Sequence, residues 1–196
     1  MKSLSSENII LASEASWRSD ILTRLGIVHR CVKHKYPEPF FESGSLVDFV
    51  KNIALEKAVS IQNDNLDAMI ISADQLIDLD DDVFYKSGSR DNAVRQLQKL
   101  SGRQHRLICA VAVLYGDKRR VAAEEAFLTM RELTVEEIEN YVDRDKPWDC
   151  AGSYKIESLG ASLFSEINVK DPTTIVGIPG NLLIDILRDW GFSNLV

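Results

Sequence analysis

The run Met69–Asp78, with the sequence MIISADQLID, constrains this chain most, because it places a carboxylate inside a nearly continuous apolar segment. A short run rich in β-branched residues, without clean alternation of polar positions, is typical of a buried strand. A buried carboxylate is costly unless it meets a cation or several hydrogen-bond donors. Asp74 is therefore either a structural carboxylate that accepts hydrogen bonds or a group that binds a metal ion or a metal-loaded phosphate cluster.

The size and charge of the chain limit what it can do. With 196 residues, it can form one domain, or two tightly packed lobes, around a real core. A net charge of −7 argues against a general nucleic-acid binder, which needs a basic face, but it allows a small polyphosphate ligand held by a few local cations.

Targeting signals and cysteine usage predict a cytoplasmic protein. No apolar run has transmembrane length, and the N-terminal apolar run is too short for a secretory signal, so we expect no membrane association. The cysteines are odd in number, far apart and without a CxxC pair, which indicates reduced thiols: Cys31, Cys109 and Cys150.

Periodicity predicts helices that alternate with strands, plus one hairpin, and therefore an α/β fold with a mixed sheet. The first helix is predicted to start with Ser16 as its N-cap, and Thr134 opens a capping box with Glu137. The predicted strands span residues 8–13, 28–32, 69–78, 104–115 and 120–130, and the predicted helices span residues 16–26, 46–62, 89–100, 134–142 and 181–190.

Several polar side chains fall where an anion could bind. The first strand enters the first helix through a short turn, and the free N–H groups at a helix start favour an anion. Ser13, Trp17 and Arg18 lie at this junction, and Lys57 lies beside the apolar stripe of the second helix. The other familiar signals are weak, since Asp78-x-Asp80-x-Asp82 lacks the glycine and glutamate of a calcium loop and the histidines lack zinc spacing.

A set of motifs carries a more specific signal. Taken together, they resemble the Maf family of nucleotide pyrophosphatases over roughly residues 9–190. The motifs are Leu11-Ala-Ser13, Arg18, Ala54-x-Glu-Lys-Ala58, Ser72-Ala-Asp-Gln75, Leu100-Ser-Gly102, Cys150-Ala-Gly-Ser-Tyr-Lys-Ile-Glu157, Gly160, Asp171-Pro-x-Thr174 and Ile175-Val-Gly-Ile-Pro179.

Within that family, the chain is most similar to the branch that hydrolyses 7-methyl-GTP. The similarity rests on Trp17, Gln75 and the Lys155-x-Glu157 pair. The branch that hydrolyses dTTP and UTP typically has Arg, Thr and Gln at the positions of Trp17, Gln75 and Glu157.

The resemblance implies a fold and a reaction. The fold is an elongated α/β fold of the inosine-triphosphatase type, here one domain over residues 1–196 with a cleft between two lobes. The reaction splits a nucleoside triphosphate into the monophosphate and pyrophosphate with a divalent metal, Mg²⁺ or Mn²⁺. The family also suggests a homodimer and no nucleic-acid partner.

The resemblance also implies roles for individual residues. Asp74 matches the proposed general base, and Asp74 and Glu38 are the candidate metal ligands. The positions on the phosphate and metal side of the site are matched by Ser13, Arg18, Glu38, Lys57 and Lys86.

The physical chemistry agrees with these roles. Arg18, Lys57 and Lys86 are suited to balance the charge of a triphosphate. The flat face of Trp17 suits the cationic 7-methylguanine ring, with about 0.5–2 kcal/mol of cation–π energy. Glu157 can accept hydrogen bonds from the N1–H and the exocyclic amine of that ring, and Gln75 completes the predicted substrate-binding set.

Four positions depart from the usual family pattern. Ala15-Ser16 stands in place of Ser-Pro, Pro37-Glu38 in place of an acidic pair, Tyr85-Lys86-Ser87 in place of Gly-Lys-Pro, and Gly180 in place of an apolar residue. Two alternatives therefore stay open: a non-catalytic nucleotide-binding regulator linked to cell division, and a pyrophosphatase for another nucleotide such as dTTP or UTP.

Overall fold

The run that contains Asp74 forms a long buried strand. In the computed structural model, which describes residues 2, 3 and 8–193, this strand spans Met69–Leu79 and is here called β4. All of its residues are buried except Gln75 and Asp78, which are half-buried. The prediction of a buried strand is confirmed.

The other described strands pair with β4 or extend its sheet. Within the described residues, one sheet has seven strands in the order β3-β2-β4-β6-β7-β8, with β5 paired to β4, and β1 pairs with β9 in a separate two-stranded sheet. Strand β2 is parallel to β3 and β4, whereas β5 is antiparallel to β4 and β8 to β7. The strands are β1 (Lys2–Ser3), β2 (Ile9–Leu11), β3 (Arg30–Cys31), β5 (Asp82–Phe84), β6 (Gln104–Tyr115), β7 (Lys118–Met130), β8 (Phe164–Asn168) and β9 (Phe192–Ser193).

Helices flank this mixed sheet, so the predicted α/β class is confirmed. Short 3₁₀ segments occupy Gln62–Asp64 and Leu159–Leu163. In the part of the chain that the structure describes, no helix is both long and apolar enough to span a membrane. The helices are α1 (Ser16–Arg24), α2 (Leu46–Val59), α3 (Arg90–Leu100), α4 (Val135–Asp145), α5 (Pro172–Val176) and α6 (Gly180–Asp189).

The bounds of the predicted elements lie within three residues of the observed ones. Ser16 is not the N-cap of α1, because that position is taken by Ala15, whose side chain offers no acceptor. The strand predicted over residues 28–32 shrinks to Arg30–Cys31, and the N–H of Val32 adds a hydrogen bond to the carbonyl of Leu11 at 2.9 Å. The predicted capping box at Thr134 and Glu137 is present.

The short elements β5, β8 and α5 were not predicted, because each is too short to show a period. Strand β5 completes a tight turn in which Asp80 and Asp81 adopt positive φ values of 49° and 70°. Asp80 and Asp81 thus form the turn of a hairpin between β4 and β5.

The chain folds as two compact units. The first contains the described residues up to Asp74, Cys109–Glu124 and those from Asp171 onward. The second contains Gln75–Ile108 and Glu125–Lys170. In the first unit, the two faces of the sheet bury different clusters. Met69, Ile71 and Ala73 pack in a cluster with residues of α1 and α6, whereas Ile70 packs with residues of α2.

Asp171 joins the starts of two helices in the first unit. It is only 4% exposed, and its Oδ1 accepts hydrogen bonds from the N–H and the hydroxyl of Thr173, the latter at 2.7 Å. Its Oδ2 accepts from the N–H of Asn181 at 2.7 Å, and the Thr173 hydroxyl accepts from the N–H of Gly180 at 2.9 Å. One carboxylate therefore satisfies N–H groups at the N-termini of both α5 and α6.

Replacing Asp171 tests this junction. We expect Asp171→Ala to lower the free energy of unfolding by about 2–4 kcal/mol, because it removes a helix cap and leaves the partly buried N–H groups of Thr173 and Asn181 without acceptors. The melting temperature should fall by roughly 5–15 °C in a thermal unfolding measurement. Asp185→Ala, an exposed position on α6, is the control and should change the stability by less than about 0.5 kcal/mol. Equal melting temperatures for the two variants would contradict the assigned role.

Candidate active site

Strand alternation and helical spacing bring Asp74 and Lys57 together. Successive side chains of a strand point to opposite faces, so Ile70, Ser72 and Asp74 share the face on which α2 packs. The Ser72 hydroxyl donates a hydrogen bond to the carbonyl of Ala54, which ties the helix to the strand. Because Ala54 is 0% exposed and has a small side chain, helix and strand approach closely, and Lys57 lies on the same side of the helix one turn later.

Lys57 is a buried cation held between two carboxylates. It is 3% exposed, and its Nζ lies 2.6 Å from Oδ1 of Asp74 and 2.9 Å from Oε1 of Glu38. Asp74 is 6% exposed, while Glu38 reaches in from the loop before α2 and stays 40% exposed. The buried Asp74 carboxylate is therefore paired with a cation, Lys57, which offsets the cost of burying its charge.

Burial dominates the acid–base behaviour of Asp74. It raises the pKa of the carboxyl above its ordinary value of 3.8, and the nearby Glu38 carboxylate adds to the increase. The Lys57 ammonium opposes the increase through both its charge and its hydrogen bond, and the charge of Arg18 acts in the same direction. A carboxylate with a raised pKa is better matched than an ordinary aspartate to take a proton from water near neutral pH.

The junction between β2 and α1 supplies further polar groups in the same unit. Ser13 is 6% exposed, and its hydroxyl accepts a hydrogen bond from the N–H of Ala15 at 3.2 Å. Trp17 and Arg18 lie in the first turn of α1 and are both half-buried. The Arg18 guanidinium donates from Nε to the carbonyl of Gly177 at 3.1 Å, so the segment after α5 orients it.

Lys86 lies in the second unit, in a loop that neighbouring segments hold by its backbone. Its side chain is exposed. The backbone of Lys86 forms an antiparallel bridge with Ala151, and the N–H of Gly88 donates to the carbonyl of Trp148 at 2.9 Å. Gly88 adopts a φ of +68°, which favours glycine.

Glu157 and Lys155 lie in a tight turn of the second unit. The carbonyl of Lys155 accepts from the N–H groups of Ser158 and Gly160 at 3.1 and 3.0 Å, and the N–H of Lys155 donates to the hydroxyl of Tyr141 at 2.9 Å. A Cβ at Gly160 would lie 2.4 Å from the carbonyl oxygen of Lys155, so the turn requires glycine there.

The electrostatic environment of Glu157 is acidic. The residue is exposed, yet surrounding atoms displace enough water to raise the pKa of its carboxyl. Asp145 and Asp149 also raise this pKa, while a backbone N–H and the Lys155 ammonium lower it. A group with negative neighbours of this kind favours a positively charged ligand.

The predicted site residues thus divide between the two units. The first unit contains Asp74, Lys57, Glu38, Arg18, Ser13 and Trp17, and the first three are in direct contact. The second unit contains Gln75, which is half-buried on β4, together with Lys86 and Glu157.

The sequence reasoning missed His34, which was interpreted as an ordinary surface or core histidine. Its Nε2 lies 3.4 Å from Oε1 of Glu38, so it borders the cluster around Lys57. No local pattern could have revealed it, because a spacing of four residues brings side chains together on a helix and these residues lie in a loop.

The carboxylates can be tested for their fit to a metal ion. Among the described residues, no group of three or more histidine, cysteine, aspartate or glutamate side chains could hold a metal. Asp74 and Glu38 nevertheless converge on one positive centre, the Lys57 ammonium. Two converging carboxylates fit Mg²⁺, which is commonly held by one or two carboxylates plus substrate phosphates and water.

Comparison with known proteins adds an independent line of argument. The family model described as "Maf-like protein" matches residues 8–190. A protein of Idiomarina loihiensis named 7-methyl-GTP pyrophosphatase is 38% identical over 193 residues, covering 95% of this chain and 96% of the relative. A protein of Xanthomonas axonopodis pv. citri with the same name is 36% identical, covering 94% of this chain and 97% of the relative.

A solved structure, that of the Staphylococcus aureus Ham1 protein, is also similar in part. It aligns with a TM-score of 0.44 and 16% identity, over 63% of this chain and 72% of the other.

The ion pair between Lys57 and Asp74 can be tested by its effect on stability. We expect Lys57→Met to lower the free energy of unfolding by about 3–5 kcal/mol near neutral pH, because it leaves a buried carboxylate without its cation. The pKa of Asp74 in the folded variant should rise further. A carboxyl with a raised folded-state pKa favours folding most at low pH, and this contribution is lost as the pH rises through that pKa.

The difference in the free energy of unfolding between the wild type and Lys57→Met should therefore shrink as the pH falls toward 3.8, the ordinary pKa of the aspartate. Denaturant unfolding at a series of pH values measures it. Lys51→Met, at a more exposed lysine of the same helix, is the control and should show a small deficit without this pH dependence. A large deficit of Lys57→Met that does not change with pH would contradict the pairing.

Proposed function

Because the chain belongs to the Maf-like protein family, we propose that it is a nucleoside triphosphate pyrophosphatase that hydrolyses 7-methyl-GTP to 7-methyl-GMP and pyrophosphate. The relatives with that name match nearly the whole chain. The structural observation that carries the proposal is the buried Asp74 carboxylate, 2.6 Å from the buried Lys57 ammonium. The reaction class is hydrolysis of a phosphoric anhydride.

Asp74 is the general base of the proposed reaction. Its carboxylate accepts a proton from water while the water oxygen bonds to phosphorus and the bond between the α- and β-phosphates breaks. The products are the nucleoside monophosphate and pyrophosphate, and the proton passes from Asp74 to solvent. The raised pKa of Asp74 supports this role, since a base whose pKa is close to the working pH transfers protons most effectively.

The cations supply the charge balance. Lys57, Arg18 and Lys86 are the cations assigned to the phosphate oxygens, where they offset the negative charge of the triphosphate and of the leaving pyrophosphate. Ser13 adds a hydroxyl at the start of α1, where helix N–H groups also favour an anion. Lys57 has a second task, because it keeps Asp74 and Glu38 oriented before substrate binds.

A divalent cation fits the proposed reaction. Asp74 and Glu38 would hold it, and the chemistry it supplies is positive charge on the phosphate oxygens. Because Pro37 stands where the family pattern has a second acidic residue, Glu38 is the carboxylate of this pair that remains. The imidazole of His34 lies beside Glu38.

Base selection falls to Trp17, Gln75 and Glu157. The 7-methylguanine ring carries a positive charge, which the face of Trp17 and the carboxylate of Glu157 both favour. The acidic neighbours of Glu157 strengthen this preference, because they make the local electrostatic potential more negative, which favours a cation. The cytoplasmic location and a homodimeric state remain part of the proposal.

A nucleotide panel tests the proposed reaction. We expect the purified protein with Mg²⁺ or Mn²⁺ to release pyrophosphate from 7-methyl-GTP, and chelation of the metal to stop the release. Asp74→Asn should lower kcat by about 10²–10⁴-fold, because the amide cannot accept the proton. Asp67→Asn, an exposed position just before β4, is the control and should behave as the wild type.

The same panel distinguishes the alternatives. Turnover of dTTP or UTP in preference to 7-methyl-GTP would contradict the proposed substrate. Nucleotide binding without turnover, with every metal tested, would instead favour a regulatory protein.

Base selection can be tested separately. We expect Trp17→Leu to lower the ratio of kcat/KM for 7-methyl-GTP over GTP by roughly 2- to 30-fold, the equivalent of about 0.5–2 kcal/mol of cation–π energy. The value of kcat/KM for GTP should change less, because a neutral guanine gains less from the aromatic face. An unchanged ratio would show that Trp17 is only a packing residue of α1.

A further inference from the structure

We propose that Gln96 is a positioning residue that locks the Lys86 loop to the loop carrying Lys155 and Glu157. Its consequence for catalysis rests on the function proposed above, whereas its effect on the two loops can be measured without any substrate. All of these residues belong to the second unit.

Both ends of the Gln96 amide are used, each by a different loop. The side chain projects from α3 and is half-buried. Its Nε2 donates to the carbonyl of Tyr85 at 3.0 Å, and its Oε1 accepts from the hydroxyl of Ser153 at 2.7 Å. The Tyr85 carbonyl can only accept a hydrogen bond, so it fixes Nε2 toward Tyr85 and leaves Oε1 to accept from the Ser153 hydroxyl.

The hydrogen bond from Gln96 to Tyr85 fixes the backbone next to Lys86. Tyr85 immediately precedes Lys86, and the carbonyl of Ser87, on the other side, accepts from Nδ2 of Asn92 at 2.8 Å. Two side chains of α3 therefore hold the backbone on both sides of Lys86. Hydrogen bonds from α3 thus hold a loop that has neither glycine nor proline beside Lys86.

The hydrogen bond from Ser153 to Gln96 fixes the start of the segment that carries Glu157. Ser153 is 0% exposed and adopts a φ of +59°, an uncommon conformation that needs support from its surroundings. Two residues later, the N–H of Lys155 is held by the Tyr141 hydroxyl. The backbone from Ser153 to Glu157 is thus anchored at its beginning by Gln96 and in its middle by Tyr141.

The clamp matters because the two loops handle different parts of the proposed substrate. Lys86 is assigned to the phosphates and Glu157 to the base, so their relative position sets how a nucleotide fits both at once. A displacement of about 1 Å in such a group can cost roughly 10²-fold in rate. Gln96 hydrogen-bonds directly to both loops and adds to the backbone bridge between Lys86 and Ala151.

The test compares Gln96→Met, which keeps the length of the side chain and removes both hydrogen bonds, with Gln98→Met, an exposed position on the same helix. We expect Gln96→Met to lower kcat/KM for 7-methyl-GTP by about tenfold, the loss expected from one or two hydrogen bonds. The ratio of kcat/KM for 7-methyl-GTP over GTP should fall as well. Partial unfolding would lower both values of kcat/KM equally and leave the ratio unchanged. Gln98→Met should match the wild type.

Amide hydrogen exchange supplies the substrate-free readout. In Gln96→Met, exchange should accelerate in both the segment 85–88 and the segment 150–155. In Ser153→Ala, which removes only one of the two bonds, exchange should accelerate in the segment 150–155 alone. This difference separates a clamp from a general loss of stability.

The outcomes separate the two proposals. If the wild type does not hydrolyse 7-methyl-GTP, the proposed function is wrong, and the exchange data alone decide the role of Gln96. If Gln96→Met leaves exchange in either segment as in the wild type, the clamp is wrong whatever the activity. If exchange accelerates in an active enzyme but the ratio of the two substrates is unchanged, Gln96 is only a stabilising residue and the proposal is overturned.

Discussion

The ion pair between Lys57 and Asp74 is the interaction on which the candidate site depends. The Asp74 carboxylate, at the sixth position of a buried strand, is only 6% exposed and largely shielded from bulk water, so its charge must be balanced within the protein. Lys57 supplies that balance at 2.6 Å, and it also holds Glu38, the one acidic side chain that the loop before α2 contributes at this point. The same burial raises the pKa of Asp74, and a carboxylate with a raised pKa is a better proton acceptor near neutral pH.

The pair is possible because helix and strand are built to approach closely. Ala54 and Ala58 keep the buried side of α2 small, and Ser72 binds the helix backbone directly. Asp171 performs a similar task elsewhere in the first unit, where it joins the starts of α5 and α6, and the segment after α5 orients Arg18. In the second unit, hydrogen bonds to their backbones hold the Lys86 loop and the turn of Glu157. Arg18, the Lys86 loop and the turn of Glu157 are therefore positioned by neutral hydrogen-bonding groups, whereas Lys57, Asp74 and Glu38 are held by their mutual ion pairs.

Much of the fold could be predicted because its main elements are long enough to show a period. Strand β4, the hairpin of β6 and β7, and helices α2, α3, α4 and α6 were predicted within three residues of their observed bounds. The short elements β5, β8 and α5 were not, since three to five residues carry no period. Ser16 was wrongly predicted as a cap because a serine before an apolar run is a good cap in isolation, whereas here Ser13 already bonds the chain at Ala15.

The sequence by itself determined that a carboxylate lies in a buried strand, that lysine and arginine residues are available to balance a polyphosphate, and that the motifs follow the pattern of one enzyme family. These are properties of composition, spacing and residue order, which exist before folding. Only the tertiary structure decided which cation meets Asp74, that Glu38 joins them, that His34 borders the cluster, and that Gln96 spans two loops. Such contacts join residues far apart in the chain, and their partners are selected by packing that no local pattern encodes.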